Sequence, residues 1–317
     1  MRILLTGGAG FIGRHVIEEL ANLGHETASF DAYLNFCDKS EYYKNCLEVR
    51  NKYLKHKPSK EYKGDIRQLK SLKRAIRDFK PEIIIHLAGL PMARINNHFK
   101  NEMSPINMQG TLNVFKVFEE SDARKLVYTS SSMAYGHFKQ TPQSENFTLD
   151  PVNEYGACKA AGEYFVKLSN KEWTIVRPTS VYGLTDCANR VTQILLDNAF
   201  LGKPSWVIKG ETLDFSYIKD VADGFTKCIL KPIANHQIFN ISSGEARAVS
   251  EFAEIVKKYF PKFKYEIKEP VDHQVWRGPL DISKACLVLK YQPHYSIEDG
   301  IKEYIELAKK YAFYDLI

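Results

Sequence analysis

The chain has 317 residues, 44% of them hydrophobic, enough for one large domain or two modest ones. Its formal net charge is +6 with acidic and basic residues interspersed, which argues against nucleic acid and suits an anionic small substrate. The cysteines form no Cys-x-x-Cys pair, and no apolar run approaches the ~18 residues of a membrane span. Reduced thiols, no metal and no membrane partner are therefore expected. The opening strand pattern leaves no room for a signal peptide, so the expected location is cytoplasmic.

An apolar strand pattern at Arg2–Thr6 runs into glycines at 7, 10 and 13, and a helical pattern covers Gly13–Leu23. Gly7, Gly10 and Gly13 suit a pyrophosphate: they permit a tight turn, close approach of backbone N–H groups, and close helix–strand packing. The next strand, Glu26–Phe30, leads into Asp31. A carboxylate there can accept both hydroxyls of an adenosine ribose and would repel a 2′-phosphate, favouring NAD over NADP. The alternative is an aspartate that starts the next turn. Residues 32–63 read as an insertion with a helix around Ser40–Tyr53, and its basic end, Lys52 to Lys63, as a solvated loop. Asp65-Ile66 would close over the adenine ring, or Asp65 would cap the next helix.

Strands at Ile83–Leu87, Lys125–Thr129 and Ile175–Arg177 alternate with helices at Leu69–Phe79, Pro105–Glu120 and Glu154–Leu168. This alternation predicts an α/β fold, a Rossmann-type doubly wound parallel sheet, with ligands beyond the C-terminal strand ends. Farther on, Val191–Leu201, Val249–Tyr259 and Ile297–Tyr311 read as helices. Residues 1–176 are expected to form the cofactor-binding domain and 177–317 a smaller C-terminal α/β substrate domain, with a strand near 238–242 rejoining the first sheet.

Tyr155 and Lys159 are spaced i, i+4 and project from one helical face. A free phenol, with a pKa of ~10, is too weakly acidic to serve as a base at neutral pH. A nearby ammonium and a positive nicotinamide would favour the phenolate. Ser131 closes a strand and could orient a reacting hydroxyl toward Tyr155, or merely satisfy backbone groups. For Ser130 and Ser132 both readings stand equally.

These residues bring the chain to a known family. Thr6-Gly-Gly-Ala-Gly-Phe-Ile-Gly13, His86-Leu-Ala-Gly89, Asn107-Met-Gln-Gly-Thr111, Ser130-Ser-Ser-Met-Ala-Tyr-Gly136, Tyr155-Gly-Ala-Cys-Lys159, Arg177-Pro-Thr-Ser-Val-Tyr-Gly183, Asp214-Phe-Ser-Tyr-Ile-Lys-Asp220 and Asp281-Ile-Ser-Lys-Ala285 span nearly its whole length. Together they resemble the extended short-chain dehydrogenase/reductases, in the NAD-dependent sugar epimerase/dehydratase group. The resemblance implies bound NAD, a nucleoside-diphosphate sugar oxidised at C4 to a 4-keto intermediate, and a homodimer, often through a four-helix interface. It adds Phe11, Ile12, Leu87, Ala88, Gly89, Asn107, Ser130 and Pro178 to the cofactor contacts. It makes Ser131, Tyr155 and Lys159 the catalytic trio.

Departures from the family pattern narrow the reaction. Sugar dehydratases and uronate decarboxylases of this group carry acidic residues where Ser132 and Met133 stand, and a thioether cannot exchange a proton. A 4-epimerase needs no such acid. Arg94 and Ser180 parallel the uronate 4-epimerase branch. Leu213 replaces an arginine that usually meets the diphosphate; Arg190, Arg247 and Arg277 are candidates for that charge. Ser132 and Met133 are expected at the substrate, and Cys187 is left unassigned by the sequence. The leading expectation is a nucleotide-sugar 4-epimerase. Its rivals are a dehydratase or decarboxylase with another acid, a 4-keto-sugar reductase, and a module that binds dinucleotide without catalysis.

Overall fold

The computed structural model describes residues 1–36, 40–91, 97–270 and 277–316. In chain order the strands and helices of the first half are β1 (Arg2–Thr6), α1 (Phe11–Asn22), β2 (Glu26–Asp31), α2 (Ser40–Tyr53), β3 (Lys60–Lys63), α3 (Leu69–Phe79) and β4 (Ile83–His86). They continue with α4 (Gly110–Glu120), β5 (Lys125–Thr129), α5 (Glu154–Lys167) and β6 (Glu172–Pro178). The second half holds β7 (Val181–Tyr182), α6 (Val191–Phe200), β8 (Ser205–Ile208), β9 (Thr212–Asp214), β10 (Ser216–Tyr217) and α7 (Ile218–Leu230). It ends with β11 (Gln237–Ile241), β12 (Ala246–Ala248), α8 (Val249–Tyr259), β13 (Tyr265–Lys268) and α9 (Ile297–Lys310).

Seven strands form one parallel sheet in the order β11-β6-β5-β4-β1-β2-β3. The order reverses between β1 and β4, which opens a crevice at their C-terminal ends. Successive strand residues face opposite layers. Ile3, Leu5, Ile83 and Ile85 join Val16, Ile17, Leu20, Val221 and Phe225 on one side. Leu4, Ala28, Ile84 and Leu126 join Leu72, Ile76, Val114 and Phe118 on the other. Both faces are covered at the centre of the sheet, so β1, β4 and β5 are buried along nearly their whole length rather than alternating. The remaining strands pair as short ladders, β7 with β10, β9 with β12 and β8 with β13.

The structure differs from the sequence reading in three places. Lys60–Lys63 is not a solvated loop but the edge strand β3, in register with β2 from Ala28↔Lys60 to Asp31↔Lys63. Its side chains are mostly exposed, and the ladder alone defines it; Lys60 and Tyr62 both reach Asp78, at 3.0 and 2.5 Å. The helix read from Pro105 opens with a π turn, Pro105–Gln109, before α4 begins. Finally, β6 is longer than Ile175–Arg177, because β5 and β11 hydrogen-bond it on both sides.

Candidate active site

The crevice is a cavity of about 560 Å³ at the C-terminal edge of the sheet, within the range of small-molecule sites. Gly7, Gly10, Phe11, Ile12 and Gly13 line one end of it. Gly7 has φ +74°, and a Cβ there would lie 2.6 Å from the Ala88 nitrogen. At Gly13 a Cβ would strike the Gly7 carbonyl oxygen. Gly10 caps α1 without any side-chain hydrogen bond. The first N–H groups of a helix lack intrahelical acceptors, so this terminus presents donors and positive dipole to an anion. The cradle therefore fits a dinucleotide pyrophosphate.

Asp31 stands at the end of β2 and lines the cavity. Its Oδ2 accepts from Ala9 N at 3.0 Å and its Oδ1 from Tyr33 N at 2.8 Å. Each oxygen retains a lone pair for a ribose hydroxyl. Burial pushes its carboxyl up, and the bonds from Tyr33 and Ala9 together with the Arg50 charge oppose that. Asp65 and Ile66 also line the cavity, but the Asp65 carboxylate is forked by Arg67 at 3.0 and 2.6 Å. Gln68, not Asp65, caps α3.

Leu87, Ala88, Gly89, Ser130 and Pro178 form the middle of the wall. Asn107 does not reach it. Its side chain instead brackets Leu90, accepting from the amide at 2.7 Å and donating to the carbonyl at 2.9 Å. At the end of β4, His86 bridges Thr6 at 2.7 Å and Thr111 at 2.9 Å. Burial pushes its imidazole down to about 3, so it is a neutral brace.

Tyr155, Lys159, Ser131, Ser132 and Met133 meet in the same cavity. Asn153 starts α5 by accepting from Gly156 N at 2.8 Å. Eight residues beyond Tyr155, on the same helical face, Glu163 is fully buried. It accepts from Arg177 at 2.8 and 2.6 Å and from Ser130 Oγ at 2.5 Å. This network fixes the rotation of α5 and engages the Ser130 hydroxyl. Ser131 Oγ accepts from Met133 N at 3.2 Å and lines the cavity together with Tyr155. Ser132 donates to Thr179 at 2.9 Å, and Met133 is buried.

The electrostatics differ from the sequence expectation. Burial pushes the Tyr155 phenol up; the Arg190 charge and the Ser131 hydrogen bond pull the other way. Lys159 Nζ donates to the Thr129 carbonyl at 2.8 Å and lies 5.7 Å from the Tyr155 ring centroid. Burial brings that ammonium down to about 8.

At the other end stand Ser180, Cys187, Arg190, Glu211, Leu213 and Arg277. Arg190 Nη1 meets Asp186 Oδ2 at 2.6 Å. The Arg277 Nε is buried without a hydrogen-bond partner, and Glu211 is the charge that favours its cationic form. Arg247 is a surface residue held by Glu251 and Glu298 at 2.5 and 3.3 Å. Arg94 lies outside the described residues. Sequence reasoning missed Asp186, Glu211 and Arg50, which reach the cavity from segments with no motif. Among the described residues no group of three or more His, Cys, Asp or Glu could hold a metal, and no helix is long and apolar enough to cross a membrane.

Known proteins share this architecture. The chain is 31% identical to a putative UDP-glucose 4-epimerase of Methanocaldococcus jannaschii, covering 97% of this chain and 98% of that protein. It is 28% identical to a UDP-glucuronate 4-epimerase of Thermodesulfobacterium geofontis, covering 97% and 96%. Among solved structures, a UDP-glucuronic acid 4-epimerase from Bacillus cereus with UDP-glucuronic acid and NAD superposes with a TM-score of 0.86. It is 24% identical over 98% of this chain and 99% of that one, a likeness of fold. Residues 3–242 match the NAD dependent epimerase/dehydratase family. With the glycine cradle, Asp31 and the Tyr155–Lys159 pair in place, the chain belongs to that NAD-dependent family.

Proposed function

We propose that the protein is a nucleoside-diphosphate-sugar 4-epimerase working through a transient 4-keto sugar. One observation carries the reading. Tyr155 and Ser131 adjoin in the cavity, while the neighbouring positions where an eliminating relative needs acids are Ser132 and a buried Met133. Two relatives named as 4-epimerases, one of them for a uronate, support it.

Gly7, Gly10, Phe11, Ile12 and Gly13 would hold the pyrophosphate of NAD, and Asp31 its adenosine ribose. Asp65 and Ile66 would flank the adenine. Leu87, Ala88, Gly89, Ser130, Pro178 and Lys159 would border its nicotinamide half. When bound, NAD supplies an acceptor that takes the C4 hydrogen with its electron pair and gives it back. Tyr155 Oη would take the proton of the C4 hydroxyl and later return it, and Ser131 would orient that hydroxyl. Ser132, Met133 and Ser180 would shape the sugar pocket. The Arg277 guanidinium, with an unbonded Nε, would meet the diphosphate. Residues 1–176 are read as the cofactor half and 177–317 as the substrate half. A homodimer belongs to the same reading: Tyr164 on α5 and Leu168 at its C-terminal cap are exposed, at 60% and 73%, and suit contact with a second copy.

Asp31→Ser should weaken NAD binding about tenfold to a hundredfold, as loss of a charge-assisted hydrogen bond implies. It should also narrow the preference over NADP. Titration of both dinucleotides checks this, and unaltered discrimination would remove Asp31 from the ribose. The reaction class is tested by turnover on candidate nucleotide sugars. Conversion by the protein as purified, with no cofactor added, supports the epimerase. Turnover proportional to added reduced cofactor would instead mark a keto-sugar reductase.

A further inference from the structure

The insertion helix α2 has no part in the chemistry proposed above, yet it grips both ends of the site. Arg50 is buried, and its Nη1 donates to the Ala9 carbonyl of the glycine turn at 2.7 Å. Its Nη2 donates to the Thr185 carbonyl at 2.5 Å and its Nε to Thr185 Oγ1 at 3.0 Å, in the turn between β7 and α6. One guanidinium thus joins two segments far apart in sequence. Tyr53, also on α2, adds a second tie. Its hydroxyl lies 2.6 Å from His15 Nε2 on α1 and 3.4 Å from the Leu184 carbonyl. His15 Nδ1 donates to the Phe11 carbonyl at 2.9 Å, which leaves Nε2 to accept from the phenol. Burial pushes that imidazole down to about 3, so it carries no charge.

Both gripped turns need holding. At the cofactor end, Ala9 N donates to Asp31 Oδ2 at 3.0 Å. Ala9 is therefore fixed through its amide by Asp31 and through its carbonyl by Arg50, immediately before Gly10 opens α1. At the other end Thr185 has φ 73°. A β-branched residue in the left-handed region is an outlier that persists only where its surroundings over-determine it. Thr185 is fully buried, and Arg50 takes both its carbonyl and its hydroxyl. Residues 186–192 follow directly and line the cavity at the end read as the substrate's.

We propose that Arg50 is a positioning residue that locks the cofactor turn and the substrate turn into one geometry, so that retention of NAD and capture of the nucleotide sugar depend on the same side chain. The inference rests on the reading of the cavity as a nucleoside-diphosphate-sugar site. Among the described residues, the hydrogen bonds of Arg50 go to Ala9 and Thr185 and none to Ser131, Tyr155 or Lys159. Its loss should therefore spare the chemical step and appear in binding.

The test uses the full-length protein. Arg50→Met keeps the length of the side chain and removes every donor. Its affinity for NAD, and its KM for UDP-glucuronic acid or UDP-glucose, whichever the native protein converts, should each worsen about tenfold or more. At saturating NAD and sugar, kcat should stay within about threefold of native. Adding Thr185→Gly to Arg50→Met should separate the two effects. Glycine takes a positive φ without penalty, so the substrate turn regains its shape while the Ala9 carbonyl stays unheld. KM should return to within about threefold of native, and NAD should remain weakly held. General destabilisation would move both constants together. Arg50→Lys keeps the buried charge but cannot span both turns; it should show both losses in weaker form, and it carries the test where Arg50→Met does not fold. Unaltered NAD affinity and KM, a loss confined to kcat, or recovery of both constants or of neither with Thr185→Gly would overturn the proposal. NAD affinity needs no substrate, so it separates the two failures. Unchanged affinity in the Arg50 variants sinks this inference alone, whereas a native protein that converts no nucleotide sugar sinks the functional reading.

Discussion

Tyr155→Phe is expected to lower kcat by roughly 10²–10⁴-fold, the usual contribution of a general acid–base group. The change deletes one oxygen and leaves the ring, so packing in the cavity wall should hold. NAD should remain with the purified protein, because the glycine cradle, Asp31 and Lys159 are untouched. Ser131 keeps its acceptor role toward the Met133 amide. The loss should therefore appear in kcat, with KM for the nucleotide sugar changed little. Steady-state kinetics and the cofactor content of the purified variant measure both quantities. Ordinary turnover in this variant would remove Tyr155 from the chemistry.

Glu163→Gln should be the most damaging change outside the cavity. Glu163 is fully buried and accepts three hydrogen bonds, two from the Arg177 guanidinium and one from Ser130. Arg177 is itself buried and also donates to Tyr135 at 2.7 Å. Neutralising the carboxylate leaves a buried cation without its counter-charge, which destabilises by about 3–5 kcal/mol. The double variant Glu163→Leu, Arg177→Met should recover a large part of that loss, since a well-packed apolar pair lacks the stranded charge. Denaturant melts of the two variants test the sign of the difference. Because Glu163 also fixes α5, the single variant should lose turnover through misplaced Tyr155 and Lys159. Equal stability of the single and double variants would mean that the ion pair does not anchor the helix.

The sequence is most legible where backbone geometry dictates the residue. The glycines at 7, 10 and 13 are readable because a Cβ at Gly7 or Gly13 would strike backbone. The apolar strands Arg2–Thr6 and Lys125–Thr129 are readable because a sheet covered on both faces admits little else. The polar edge strand Lys60–Lys63 is not, since its ladder is pure backbone and its side chains face water. Nor are the short pairs β7–β10, β9–β12 and β8–β13, whose two to four residues carry no periodicity. Within the site, every cofactor residue expected from sequence lines the cavity except Asn107, which holds the Leu90 backbone from behind. Spacing along a helix identifies Lys159 as a neighbour, but only the tertiary fold shows its ammonium held by the Thr129 carbonyl.

Loss and return of hydrogen at C4 without elimination can be read from proton NMR of the product made in D2O. The product should be a C4 epimer whose C4 position still carries protium, with no solvent deuterium at C5. A 6-deoxy-4-keto or unsaturated sugar, release of carbon dioxide, or deuterium at C5 would contradict it.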